Sequence, residues 1–246
     1  MPPANDPPPA AGVPAPAVIA EVPFTSPRGK QYSIQITNEL DAYETKSHAE
    51  ALTQVMAAVA AGPPGDNFTG NDRKAAKLSI STAAEEKFAD LHDVLASLKP
   101  DSEMKAMHID ISATSNRVAA EQRNVKVSAF LYAFSREGDN DFHCILGRDP
   151  NKPAEFMNME VSGLPPSGDS SFAKLNTARN AFKAQFPNHL LNPGYNFIKP
   201  PMPVEIGGSL FFDATHAKGG PTPGPAKAKP KSIWEVHPVT TLTFEP

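Results

Sequence analysis

The order of strand-like and helix-like segments in the second half of the chain constrains its fold more than any other feature. Three runs that alternate like β-strands come first, a helical run follows, and two more strand-like runs end the sequence. The strand-like runs cover 125–134, 142–146, 155–161, 204–213 and 233–244, and the helical run covers 167–186. Only a few layered folds have one helix between the third and the fourth of five strands.

This succession predicts an α+β protein whose main domain is a five-stranded, OB-like Greek-key β-barrel with one inserted helix. Gly207 and Gly208 predict a bulge in the fourth strand, of the kind that helps a small barrel to close. A shorter alternating run at 107–112 predicts an extra strand, so that the domain spans 104–246. Within it, residues 217–231 have the composition of a flexible loop and carry four lysines.

The first 103 residues predict two other regions. Residues 1–17 are rich in proline and alanine and predict a disordered arm. Residues 18–37 predict extended segments that are broken by a turn at 26–29. Apolar residues at helical spacing predict helices over 40–61 and 82–99, the second behind a capping box, so we expect 18–103 to be an N-terminal helical segment.

Charge and composition exclude several classes of protein. A net charge of −4 and a pI near 6.0 argue against a surface that is basic throughout and binds nucleic acid by charge alone. The single cysteine, Cys144, excludes a fold that is held together by internal disulfides. The sequence has no apolar run long enough for a transmembrane helix and no signal-peptide pattern, which predicts a cytoplasmic protein with no membrane partner. The oligomeric state is left open.

Four short motifs of the second half resemble a set of uncharacterised bacterial OB-like proteins. The chain carries GDNDFH at 138–143, MEV at 159–161, FFD followed by His216, and WEVHPV at 234–239. Those proteins carry a DGDxH strand, a strand that ends in ExP, an FFDxxH segment and a closing ELHPV. The resemblance covers about residues 124–246, and it implies a common fold while leaving the chemistry open.

One face of the first predicted barrel strand combines aromatic and basic side chains. We predict that it is a ligand-binding face formed by Lys126, Phe130, Tyr132, Phe134 and Arg136. Aromatic rings beside basic groups stack on nucleic-acid bases or sugar rings. The first functional hypothesis is therefore a non-enzymatic binding or interaction module whose ligand is single-stranded nucleic acid or an oligosaccharide. The competing interpretation is that the N-terminal helices bury this face.

Polar side chains near the strand ends give a second hypothesis, a metal-assisted hydrolase. Glu235 and His237 are two residues apart and face the same side of the last strand. Imidazole and carboxylate groups bind zinc or another divalent metal ion, which can activate water. The predicted metal ligands are His143, Asp213, His216 and His237, and the predicted catalytic bases are Glu160 and Glu235. The competing interpretation is that these groups cap turns or pair with lysines, so the sequence leaves open whether the protein is an enzyme.

Overall fold

The computed structural model describes residues 18–40, 65–187, 194–218 and 222–246. Within these ranges, eight β-strands form one sheet of mixed direction, and four α-helices accompany it. The strands are β1 Val18–Thr25, β2 Gln31–Thr37, β3 Glu85–Phe88, β4 Asn124–Arg136, β5 Phe142–Gly147, β6 Phe156–Val161, β7 Asn196–Phe212 and β8 Trp234–Phe244. The helices are α1 Lys74–Leu78, α2 Leu91–Ala96, α3 Asp101–Ala106 and α4 Phe172–Gln185.

The strand order is β1-β2-β7-β8-β6-β5-β4-β3, and an additional pairing joins β7 to β4. That pairing closes the strands from β4 to β8 into a ring, in which only β6 and β8 run parallel. The apolar core fills the ring, and α4 adds Phe182, whose ring stacks on Phe142 with a centroid distance of 4.9 Å. Because successive strand residues point to opposite faces, every second residue of the ring points outward.

The predicted fold class, a five-stranded OB-like barrel preceded by an N-terminal helical segment, is wrong. The sheet has eight strands, and the first described residues form a β-hairpin that continues the sheet instead of a separate helical layer. The predicted turn at 26–29 joins β1 to β2, with Gly29 at a positive φ of 84°. The hairpin pairs with the first residues of β7, and the buried Ile34 anchors it to the core.

The predicted helix over 82–99 is also wrong, because its two halves have different structures. Residues Glu85–Phe88 pair in parallel with β4 and form β3 at one edge of the sheet. Asp90 is extended and accepts a hydrogen bond from the backbone N–H of His92 at 2.9 Å, which starts the short helix α2. Phe88 and Leu98 therefore contact the core from outside the helix, although their spacing matches its period.

Three other predictions concern the connecting segments. No strand forms at 107–112, where α3 ends at Ala106 and His108 has a positive φ of 49°. The predicted helix over 40–61 lies, beyond Leu40, outside the described residues, and so does the predicted arm at 1–17. In the predicted loop at 217–231, Ala228 is buried beside Ile145 on the outer face of the ring. The predicted bulge at Gly207 and Gly208 is confirmed by the register shifts between β7 and β8.

Candidate functional site

The register of three neighbouring strands brings polar side chains together on the outer face of the ring. His143 on β5 lies directly opposite Glu160 on β6. Asn158 on β6 lies opposite Glu235 on β8, so His237, two residues further along β8, comes beside Glu160. The alternate residues of the same strands, such as Trp234 and Val236, face the apolar core. The predicted common face of Glu235 and His237 is therefore present.

One group of three side chains has the arrangement of a metal site. One possible ligand atom from each of Asp141, Glu160 and His237 lies within 4.8 Å of the other two. His237 Nε2 is 3.5 Å from Asp141 Oδ2, and His237 Nδ1 is 3.3 Å from Glu160 Oε2. All three residues are buried, and their exposed fractions are at most 3%. Asp141 Oδ2, Glu160 Oε2 and His237 Nε2 have no hydrogen-bonding partner outside this group among the described residues. Within the group, the carboxyl groups of Asp141 and Glu160 form a hydrogen bond with each other when Asp141 holds a proton.

The turn between β4 and β5 places Asp141 at this point. Asp141 Oδ1 accepts a hydrogen bond of 2.6 Å from the backbone N–H of Gly163, which fixes the carboxyl group and leaves Oδ2 directed towards His237. The turn closes through Asn140, whose φ of 75° is one that asparagine tolerates better than most residues. The Asn140 side chain donates to the carbonyl of Asn67 at 2.6 Å, which ties the turn to the segment that lies over it.

A second group of three consists of Glu137, His143 and Glu160. His143 Nδ1 is 2.8 Å from Glu137 Oε1, and His143 Nε2 is 3.0 Å from Asn158 Oδ1. Both ring nitrogens of His143 are therefore within hydrogen-bonding distance of protein groups. Glu160 belongs to both groups, with Oε1 at 3.7 Å from His143 Nδ1.

Burial and mutual repulsion change the protonation of these side chains. Burial, followed by the charges of Asp139 and Glu160, raises the pKa of Asp141 well above its ordinary value. Burial and the charge of Glu160 also raise the pKa of Glu137 to about 8. Burial lowers the pKa of His237 to about 3, so its imidazole is neutral at physiological pH. A neutral imidazole has a lone pair available for a metal ion.

The segment that contains α1 covers this face and contributes a positive charge. Lys77 on α1 reaches into the cluster, with Nζ 3.7 Å from Asp139 Oδ2. Arg117 donates to the backbone carbonyl of His237 and, at 2.6 Å, to that of Leu210. These contacts hold the last strand against the covering segments.

The other predicted site residues are near the cluster, but they have their own partners. Asp213 follows β7, and its carboxylate is hydrogen-bonded to His216 Nδ1. Burial acts to raise the pKa of Asp213, but the hydrogen bond and the charge of His216 lower it below its ordinary value. The Asp213 charge acts on both Glu235 and His237, so all six predicted polar residues belong to one electrostatic unit. Their predicted roles as metal ligands or bases stay predictions.

The predicted ligand-binding face on β4 is interrupted by a bulge. The register shifts between Leu131 and Ala133, which turns Phe134 into the core against Phe182 and Phe186. The expected continuous row of rings is therefore wrong at Phe134, which is 1% exposed.

The rest of this row is partly exposed, with partners of its own. Lys126 pairs with Glu205 at 2.7 Å, and Arg136 is hydrogen-bonded to Asn140. The Tyr132 ring packs on Phe156, and its hydroxyl donates to the carbonyl of Arg148 at 2.9 Å. Phe130 is half-buried.

Sequence reasoning missed several members of the cluster. Two of them, Asp139 and Asp141, are spaced two residues apart and lead to the predicted His143 at the start of β5. This period could have placed Asp141 beside His143. Lys77 offers no such signal, because it reaches the cluster only through long-range folding of α1 onto the sheet. A cleft of about 1100 Å³ beside α1, bordered by Gly208 of β7 and by Thr240 and Thr241 of β8, is lined by none of the cluster residues.

Comparisons with protein-family models, with curated proteins and with solved structures found no match for this chain. Among the described residues, no helix combines the length and the apolar character needed to cross a membrane. Any functional conclusion must therefore come from the site itself.

Proposed function

We propose that this protein binds one divalent cation through Asp141, Glu160 and His237. One observation carries the proposal: three polar atoms from three different elements converge in the interior, and none has a hydrogen-bonding partner outside this group among the described residues. A buried polar atom without a partner costs about 1 to 3 kcal/mol. In this group the proton shared by Asp141 and Glu160 offsets part of that cost, and a cation in its place would contact all three side chains.

The donor set and its spacing suit a small transition-metal ion. Two ligands of a tetrahedral zinc ion with bonds of about 2.1 Å lie about 3.4 Å apart. The distance between His237 Nε2 and Asp141 Oδ2 is 3.5 Å, which fits this spacing. Glu160 Oε2 lies 3.3 Å from the other ring nitrogen, Nδ1, so one of these side chains has to turn for one ion to contact all three. One neutral imidazole and two carboxylates are ligands for Zn²⁺ and Mn²⁺ more than for Ca²⁺, which takes six or more oxygen ligands.

Charge supports the same conclusion. Six carboxyl groups form the cluster: Glu137, Asp139, Asp141, Glu160, Asp213 and Glu235. The positive charge of Lys77 offsets part of their negative charge. In the absence of a cation, protons offset the excess negative charge, as the raised pKa of Asp141 indicates. A divalent cation would displace these protons, so binding should release protons and strengthen with rising pH.

A closed site favours cation binding over hydrolysis. Structural zinc sites are enclosed by four protein ligands, whereas catalytic sites have three and keep the fourth position open for water or substrate. The three ligands proposed here leave a fourth position, so accessibility is what distinguishes the two functions. Asp141, Glu160 and His237 are buried, and the neighbouring cleft does not reach them. The hydrolase and the nucleic-acid or oligosaccharide module stay predictions, and the geometry favours neither over a cation-binding protein.

The test is direct measurement of bound metal. The full chain is purified without a His tag, stripped with a chelator, and titrated calorimetrically with Zn²⁺, Mn²⁺ and Mg²⁺. We expect one equivalent of Zn²⁺ or Mn²⁺ to bind, with proton release. Asp141→Asn keeps the acceptor for Gly163 but replaces Oδ2 by an amide, so it should weaken binding at least about 10-fold.

The matched controls are a carboxylate and an imidazole at the surface. Glu205→Gln removes the exposed partner of Lys126, and His92→Gln removes an exposed imidazole next to Glu155. Both variants should bind the ion like the unmodified chain. Absence of heat and of a shift in melting temperature with all three ions would refute the proposal.

A further inference from the structure

Lys77 brings a permanent positive charge into the interior of the acidic cluster. Its side chain is 11% exposed, and its Nζ lies 3.7 Å from Asp139 Oδ2. Burial acts to lower the pKa of Lys77, but the charges of Glu160, Asp139, Asp213 and Asp141 outweigh it and raise the pKa well above its ordinary value. The ammonium group is therefore charged, and two of the carboxylates that it faces are proposed cation ligands.

The backbone around Lys77 is held in place independently of the cluster. The N–H of Ala75 donates to the carbonyl of Ala113 at 2.9 Å, and that of Ala76 donates to Ser115 at 3.2 Å. One turn earlier, Arg73 forms a bidentate ion pair with Glu121. These contacts anchor α1 through groups that lie outside the cluster.

We propose that Lys77 is a built-in cation that sets the affinity of the cluster for divalent ions, and this inference rests on the cation site proposed above. Lys77 and the bound ion share the charges of Asp141 and Glu160. The ammonium group repels the ion across a poorly solvated space, where charges interact more strongly than in water. The affinity is consequently lower than the same carboxylates would give without the lysine.

A second lysine of α1 offers a matched control. Lys74 lies one turn from Lys77 and places its Nζ 5.9 Å from the centre of the Phe68 ring, on the side of the cleft. Lys74→Met and Lys77→Met therefore remove the same charge from the same helix, but only the second removes it from the cluster. Lys77→Arg moves the charge by little and separates the effect of charge from that of shape.

The experiment is a calorimetric titration of the full chain and its three variants with Mn²⁺ and with Zn²⁺. We expect Lys77→Met to bind the ion roughly 10-fold or more tightly than the unmodified chain, and Lys74→Met and Lys77→Arg to bind with unchanged affinity. Equal affinity in all four proteins would overturn the role of Lys77 and leave the cation site standing. Absence of binding in all four would overturn the cation site itself.

A folding defect in Lys77→Met would also be informative. If that variant does not fold without the ion, refolding is measured in its presence. Recovery of the native circular-dichroism spectrum supports the proposal, because the ion then supplies the positive charge that the lysine provided. Failure to recover with either ion overturns it.

Discussion

Two buried groups of charges lie one helical turn apart, and they differ in charge balance. Arg73, the residue before α1, forms an ion pair with Glu121, with N–O distances of 2.6 and 2.8 Å. Lys77 of α1 faces several carboxylates, and among the described residues its ion-pair contact is with Asp139, at 3.7 Å.

The comparison separates a structural ion pair from a binding site. Both oxygens of Glu121 also accept backbone N–H groups, from Phe212 at 2.9 Å and from Val118 at 2.8 Å. In the cluster, by contrast, Asp141 and Glu160 each keep an oxygen that receives no N–H group from the described residues and is shared only with the other carboxyl group. A matched buried pair stabilises one conformation, whereas surplus carboxylates with unused oxygens leave room for a cation.

The largest expected effect comes from breaking the matched pair. Glu121→Gln leaves the Arg73 guanidinium buried opposite a neutral amide and keeps an acceptor for only one of the two backbone N–H groups. We expect the free energy of unfolding to fall by about 3 to 5 kcal/mol, measured by urea denaturation. Divalent ions should not restore it, because the pair does not belong to the cluster.

The control for this substitution is a similar ion pair at the surface. Arg123 and Glu86 also form two bonds, of 2.8 and 2.6 Å, but 42% of the Glu86 side chain is exposed. Glu86→Gln should cost no more than about 1 kcal/mol, since water screens the pair. Equal losses for the two substitutions would contradict the role assigned to burial.

The pH dependence of stability gives the next largest effect. Burial raises the pKa of Glu137 to about 8 from an ordinary 4.5, so the folded state holds a proton that the unfolded state has lost. This contribution to stability is complete below about pH 4.5 and disappears as the pH rises through 8. The lowered pKa of His237 has the opposite effect, but only between about 3 and 6.5.

Between pH 6.5 and 8, therefore, the chelator-treated protein should lose stability, on the order of 1 kcal/mol from Glu137 alone. Urea denaturation at four pH values measures the slope. Glu137→Gln should make the slope shallower, because the shifted carboxyl is gone. A flat or rising curve in the unmodified chain would show that the cluster does not hold surplus protons.

Local patterns predict much of the fold because they depend on neighbouring residues. The alternation at 142–146 and the helical spacing at 167–186 correspond closely to β5 and α4, since each pattern is fixed by which side chains face the core. The helix over 82–99 failed where pairing with the free edge of β4 outweighed helical spacing. A bulge after Leu131 likewise reversed the face of Phe134, and such register shifts leave no clear signal in one sequence.

The sequence predicts which side chains of the site lie together only where they belong to one strand. The common face of Glu235 and His237 follows from their spacing along one strand. The approach of Glu160 to His237 depends on a parallel pairing between β6 and β8, which are separated by α4 and β7. The position of Lys77 depends on contacts of α1 with residues 113 and 115 of a distant loop, so sequence patterns do not predict it.

The smallest expected effect is a gain in the free energy of unfolding, whereas Glu121→Gln causes a loss. Burial and the charges of Glu160 and Asp213 raise the pKa of Glu235 well above its ordinary value, so folding takes up a proton there at neutral pH. Glu235→Gln replaces this protonated carboxyl with a neutral group of the same shape. In the presence of chelator at pH 8, the free energy of unfolding should rise by about 0.5 kcal/mol. The same Glu→Gln change would then lower the stability of the protein at the Arg73–Glu121 pair and raise it in the acidic cluster. A loss of stability in Glu235→Gln would contradict this, because it would mean that the negative charge of Glu235 is already balanced.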